Sequence, residues 1–358
     1  MSTRLISLAL GEEYVSPDEE DLIAHIKHIG IARLARTYPP NTILTRRDVH
    51  PKAHGCVRAE FIIGEDVPPA LRHGIFQTPR AFNAWIRFSA GRPTMHTDQE
   101  LDTHGMAIKL MGVEGIKILN GDTAEKRTQD FVMASAPAFF IRNLEEYLSF
   151  EEADFHFLPE GLRQRIDVAI HFALRAEIAE LMALQQAQNL HVTNPLQIQY
   201  WSQTPYKLGV RAIKFSVKPV LSQHDYKPET LGNDYLQEAM TSHLQSEDIW
   251  FDFLIQEQTD SKAMPVEDAV VVWDEKLSPF QKVAAIRIPK QTFASREQFR
   301  FAEHLSFTPW HSLPDHRPLG SINRGRRAIY EAIAYARNAM NAVVYHEPTG
   351  EEVFPQTS

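Results

Sequence analysis

The chain has 358 residues, 43% hydrophobic and 23% charged, a length that suits one large domain or two small ones. A net charge of −9 and a pI of about 6.0, with no block of like charges, argue against a nucleic-acid partner, and the lone cysteine, Cys56, excludes a disulfide framework or cysteine metal cluster. No run reaches the length of a membrane span, and MSTRLISLALGEEYVS lacks the apolar core of a secretory signal, so a soluble, cytoplasmic protein is expected.

Residues 18–38 predict an amphipathic helix, with Asp18 as its cap, Leu22, Ile26 and Ile29 on one stripe, and Pro39-Pro40 as its stop. Four strand-like runs follow: CVRAEFII from 56, AFNAWIRFSA from 81, HGMAIKLMGV from 104 and DFVMASAPAFFI from 130. Leu162, Ile166, Ile170, Leu174, Ile178 and Leu181 then predict a helix over 162–190. Strands resume with GVRAIKFSVKPVL from 209, IWFDFLIQEQ from 249, AVVVWD from 269 and KVAAIRIP from 282, and a last amphipathic helix spans 322–344. There is no internal repeat, low-complexity tract or linker. This order predicts an α+β fold around an antiparallel sheet or barrel. We read 1–358 as one domain: a helical segment over 1–40, a barrel over 41–300 with a helical insertion near 160–190, and the last helix over 320–345.

The last helix carries unusual chemistry. Arg326, Tyr330 and Arg337 lie at i, i+4 and i+11, within about 40° of one another around the helix. A guanidinium beside a phenol favours phenolate, a hard anionic ligand and one of the known axial ligands of haem iron. On the helix alone, a packed tyrosine between solvated arginines is the simpler explanation of the pattern. Further upstream, RRDVHPKAHG holds Arg47, His50 and His54. A histidine beside bound peroxide serves as a proton shuttle, and a serine such as Ser89 would orient it. Two other clusters invite a ligand reading. His304, His311 and His316 lie in a Pro-rich stretch, where His311 competes with Tyr330 as iron ligand. His96, Asp98, Asp102 and His104 suit a metal or, more simply, a polar turn leading into a strand.

Taken in order, these segments resemble the haem-dependent catalase superfamily, its short catalase-related peroxidase group in particular. Val49-His50-x-Lys52-x-x-Gly55 resembles the distal-histidine motif, Arg87-Phe88-Ser89 the RFS motif, and HGMAIKL (104–110) the strand that follows it. Pro137-x-Phe139-Phe140-Ile141-Arg142 resembles the PxFFIR segment, and Gly325-Arg326-x-x-x-Tyr330 with Arg337 the proximal signature. The resemblance implies a catalase-like antiparallel barrel with flanking helices, a heme b (iron) cofactor, and hydrogen peroxide or an organic hydroperoxide as substrate. It further implies Tyr330 as axial ligand, with Arg326 stabilising its phenolate. His50 would be the distal acid/base, hydrogen-bonded to Ser89. Val49 and Phe140 would line the pocket, and Arg47, Arg87 and Arg337 would meet the haem propionates. A homo-oligomer is compatible with it.

The departures are specific. Met133-Ala134-Ser135-Ala136-Pro137 puts Ala134 where the family has its distal asparagine, and a methyl group donates no hydrogen bond to peroxide. Ser135 substitutes only if the backbone turns it inward. His104 stands where arginine is usual. These changes leave catalase or peroxidase activity as the first reading. Conversion of fatty-acid hydroperoxides to allene oxides is the alternative, and haem binding without catalysis is a third.

Overall fold

The computed structural model describes residues 8–119, 126–156, 192–221, 224 and 226–354, so the helix expected over 162–190 lies outside the described residues. Nine strands are present: β1 Ala53–Ile63, β2 Arg80–Ala90, β3 His104–Met111, β4 Thr128–Ala134, β5 Tyr200–Trp201, β6 Tyr206–Leu208, β7 Arg211–Val220, β8 Ile249–Glu257 and β9 Gln281–Ile288. Neighbours run β5-β4-β3-β2-β1-β9-β8-β7, all antiparallel where paired, and β5 also pairs with β7. Eight strands therefore close into a barrel, with β6 added as a hairpin arm on β7. The closure rests on two residues. Trp201 sits opposite both Ala134 and Ser216, and Tyr200 sits opposite Val217.

Period-2 alternation explains which side chains fill the barrel. Ile249, Phe251, Phe253 and Ile255 of β8 all point into one core. Phe61, Phe131, Phe215 and Phe253, from four different strands, meet there. Phe253 lies 5.1 Å from Phe61 and from Phe131, and Phe131 lies 5.2 Å edge-on to Phe215. The second half of β2 is buried on both faces, from Trp85 to Ala90. Its outer face is covered by other elements, and there the functional cavity forms.

Five helices surround the barrel among the described residues: α1 Glu19–Thr37, α2 Leu144–His156, α3 Tyr235–Ser246, α4 Arg296–His304 and α5 Ser321–Met340. The apolar stripe of α1 packs Ile26 against Leu144 of α2 and Ile329 of α5. Asp18 stands at the α1 N-cap but accepts from the Ser16 hydroxyl instead of capping an amide. Leu144 comes so close to α5 that a Cβ on Gly325 would lie 2.5 Å from its Cδ2. Arg324 fixes the start of α5, donating to Glu19 at 2.7 Å, Glu13 at 2.8 Å and Glu267 at 2.9 Å.

Two expected strands are corrected. DFVMASAPAFFI is strand only as far as Ala134. Beyond it the backbone turns, because Ser135 N–H returns to the His104 carbonyl (2.8 Å) and Phe139 N–H to that of Ala269 (3.0 Å). AVVVWD is irregular: Lys214 Nζ donates to the Val271 carbonyl and Gln256 to that of Trp273, replacing ladder partners.

His104 and His316 are buried inside this framework, and burial pushes both imidazoles down to about 4. His316 accepts from the Ile75 N–H at 2.9 Å, which requires its neutral form. An unfolded histidine titrates near ~6.5, so between about pH 7 and 4 the unfolded chain takes up protons that the folded chain refuses. Stability should therefore fall as pH drops through that window, by up to about 1.4 kcal/mol per pH unit for each histidine. Urea midpoints at pH 7 and pH 5 measure this. His316→Gln, which retains an acceptor, should flatten the dependence.

Candidate active site

A cavity with about 970 Å³ of open space, mouth included, lies between the outer face of β2–β4 and the helices α1, α2 and α5. Its barrel wall contains Arg87, Ser89, Gly105, Ala107, Val132 and Met133, and its helical wall contains Ile26, Ile329, Tyr330, Ile333 and Arg337. Arg47, Asp48, Val49 and His50 enter from the segment before β1.

His50 has φ +60°, a region that few side chains other than those of Asn, Asp and His tolerate. Its carbonyl accepts from Arg87 Nη2 at 2.9 Å, and its ring Nδ1 lies 3.1 Å from the Ser89 hydroxyl. The ring rests directly on Gly105, where a Cβ would come within 2.7 Å of it and 2.8 Å of Ser89 Oγ. Strand register explains the grouping, since Ser89 of β2 pairs with Gly105 of β3. Burial, with repulsion from Arg87, Arg47 and Arg326, pushes the imidazole down to about 4 against an opposing contact with the Ala90 backbone. His50 is therefore neutral at physiological pH.

On the helical wall, the Tyr330 phenol oxygen accepts from Arg326 Nε at 3.2 Å and Nη2 at 3.0 Å. Arg326 also donates to Asn323 Oδ1 at 3.1 Å. Burial works against the Arg326 charge, but the facing oxygens of Tyr330 and Tyr206 outweigh it and raise its pKa.

Arg47, which is partly buried, and the buried Arg87 and Arg337 form a cation cluster with one carboxylate, Glu303, which lies 3.3 Å from Arg47 and 3.5 Å from Arg87. Burial lowers Arg47, Arg87 and Arg337, the last to about 10, and mutual repulsion lowers Arg47 and Arg337 further. Burial would raise Glu303, yet the arginines, Arg47 foremost, hold it below its ordinary range. All four shifts are downward, burial acting first on the arginines and the excess of cations over anions acting on Glu303. Among the described residues, Arg87 Nε and Arg337 Nε have no hydrogen-bond partner. Two orphaned buried N–H groups in a cation-rich wall call for an external anion.

A largely apolar cavity, a phenol oxygen and an anion-seeking cluster fit a porphyrin with two carboxylate arms and a metal that takes an oxygen ligand. Heme b (iron) fits this set of donors.

Of the residues singled out in the sequence, the cavity brings together His50, Ser89, Arg47, Val49, Arg87, Tyr330 and Arg337. Val49 is 41% exposed, at the rim. Arg326 stands behind Tyr330. Phe140 is not among the lining residues, and its ring packs 4.8 Å from Phe139 and 5.5 Å from Phe150. Ala134 and Ser135 are likewise absent from the lining. The Ser135 hydroxyl accepts from the His104 N–H at 2.8 Å and so faces away. His311 also lies off the cavity, 3.0 Å from the Thr128 hydroxyl and 3.3 Å from Glu347.

Among the described residues, no group of three or more His, Cys, Asp or Glu could hold a metal ion. Asp102 instead accepts from the amides of Gly91 and Arg92, and Asp98 pairs with Lys52 at 2.7 Å. Sequence reasoning missed Glu303, Gly105 and the Arg33–Asp48–Glu151 ion cluster in the cavity wall. A glycine inside the strand run HGMAIKL was the one available signal.

Among the described residues, no helix is long and apolar enough to cross a membrane. No protein-family model matches the sequence, and no curated protein matches it. Solved structures do. A fungal catalase superposes with a TM-score of 0.61 at 16% identity, covering 95% of this chain and 65% of that one. A bacterial catalase gives 0.60 at 18% identity (94% and 63%), and catalase A from Saccharomyces cerevisiae gives 0.59 at 17% (95% and 68%). The chain spans about two thirds of the length of these catalases. At such identities the likeness is one of architecture, and the architecture of this chain is the catalase fold.

Proposed function

We propose that this chain is a haem-dependent oxidoreductase acting on peroxide, in the manner of a catalase or peroxidase. One observation carries the reading: a single cavity is lined by the Arg326-backed phenol of Tyr330, the Ser89-bonded imidazole of His50 and a buried arginine cluster short of anions. When bound, haem supplies the redox chemistry that cleaves the peroxide O–O bond.

The protein's part follows from its own groups. Tyr330 would ligate the iron through a phenolate, and Arg326 holds its two N–H groups on that oxygen. Arg47, Arg87 and Arg337 would bind the carboxylate arms and fix the ring's orientation. His50 is neutral, and with its proton on Nδ1 it donates to Ser89 Oγ, leaving Nε2 to accept. Nε2 takes a proton from peroxide and returns it to the departing oxygen, which leaves as water. The apolar wall of Val132, Ile329 and Ile333 excludes bulk water.

Ser135 favours a second reading. With its hydroxyl turned to His104 and Ala134 offering a methyl, neither supplies the amide donor that holds a small peroxide. A larger fatty-acid hydroperoxide, positioned by its own chain, has less need of that donor. Steady-state rates with both peroxides separate the readings.

Three substitutions test the roles. Tyr330→Phe keeps the helix packing but removes the oxygen, and should abolish a high-spin phenolate-type haem spectrum; an unaltered spectrum rejects Tyr330 as ligand. His50→Ala should retain haem and slow peroxide cleavage by about two orders of magnitude; unchanged rates reject the acid/base role. Gly105→Ala should displace the His50 ring, lowering the cleavage rate while the haem spectrum persists, and stopped-flow absorbance reads both.

A further inference from the structure

The arginine cluster already contains one anion of its own. Glu303, near the end of α4, is buried, with Arg47 at 3.3 Å, Arg87 at 3.5 Å and Arg46 at 3.7 Å. Arg47 Nη1 donates to Glu303 Oε2 at 3.3 Å, and each of the three cavity arginines has further partners that hold it in place. Arg47 donates to the carbonyls of Ala302 (3.1 Å) and Leu305, and Arg87 to that of His50 (2.9 Å). Arg337 donates to the Ser306 hydroxyl at 3.0 Å and the Leu305 carbonyl at 3.3 Å. Glu303 Oε1 has no hydrogen bond at all, so what it gives the cluster through that atom is charge.

From this we infer that Glu303 sets the affinity of the site for its anionic ligand. It is a resident counter-ion that steadies the empty cluster and opposes the arrival of further carboxylates. The inference rests on the haem reading. Four arginines against one carboxylate leave the empty cluster under-compensated. Two incoming carboxylates nearly balance it, and each then repels Glu303. Removing the Glu303 charge therefore costs the empty protein more than the loaded one, and by linkage the ligand binds more tightly. Glu303 touches no reacting atom on this account. Its effect reaches the ligand through the arginines and through space.

The test titrates the full-length, haem-free chain with ferric protoporphyrin and with its dimethyl ester, which has the same ring but uncharged arms. Glu303→Gln should bind the diacid about tenfold more tightly, the size of one charge interaction of ~1.4 kcal/mol. Its affinity for the ester should match wild type, and the Tm of the empty variant should fall. A purely structural role for Glu303 shifts both porphyrins together. Diacid affinity that is unchanged or weaker in the folded variant, or an equal gain for the ester, overturns the inference.

If Glu303→Gln does not fold, Arg46→Gln decides, since Arg46 is the most exposed of the four arginines. It should weaken diacid binding and leave ester binding alone, and no diacid-specific change overturns the inference. Wild-type protein that binds neither porphyrin is a different failure, that of the haem reading itself.

Discussion

A two-residue strand closes the barrel, and the positions of the functional groups follow from that closure. Without β5, the edge of β4 and the Ser216–Val217 stretch of β7 would be unpaired and the sheet free to open. Closure fixes the relative heights of β2, β3 and β4, so that Ser89, Gly105 and Ala107 share one outer wall. The aromatic core of Phe61, Phe131, Phe215 and Phe253 holds those strands from inside. Side chains on the outer wall are thus set by a packed framework, and the helices α1, α2 and α5 need only cover it. The site lies between the barrel, against whose outer wall the imidazole rests, and the helix α5, which presents the phenol.

The electrostatics of this contact run against folding. Buried guanidinium groups lose hydration, and in this cluster they outnumber their partners. Backbone carbonyls at Leu305, Ala302 and His50 recover part of that cost, and Glu303 recovers more. What is left uncompensated favours a ligand with negative charge. A site of this kind is stabilised by its ligand, so the thermal stability of the empty and loaded forms should be read as two quantities.

Much of this architecture was legible in the sequence wherever local periodicity decided it. β1, β2, β3, β7, β8 and β9 are short apolar, β-branched or aromatic runs bounded by Gly, Pro or polar residues, and α5 has a continuous stripe, so their positions were read within a few residues. β5 is too short to have a pattern, and its pairing is decided by residues far along the chain. α4 was missed because Arg296–His304 is short and polar, held by the Ser295 cap on Gln298 N–H and by docking on β1. AVVVWD has strand composition but lies where side chains satisfy its carbonyls, and composition cannot reveal that. Within the site, His50, Ser89, Tyr330 and the three arginines were legible because motif and spacing mark them. Glu303 was not, since nothing marks a glutamate in a polar helix as buried. The packing of Phe140 and the outward turn of Ser135 depend on the backbone leaving the sheet after Ala134.

Arg87 ties the two halves of the chemistry together. One nitrogen holds the carbonyl of His50, whose backbone sits in a conformation that costs of order 1–2 kcal/mol unless its surroundings enforce it. The same guanidinium faces Glu303 at 3.5 Å and has an unpartnered Nε in the anion-seeking cluster. Ser89, two residues along β2 and on the same face, fixes the imidazole ring. A shift of the β2 outer face would therefore move the His50 imidazole and the Arg87 guanidinium together. Two functions resting on alternate residues of one inner strand of the barrel are held in register by the ladder itself. That explains how His50, Ser89 and Arg87 keep one geometry beside Ala134, which has no polar group to offer.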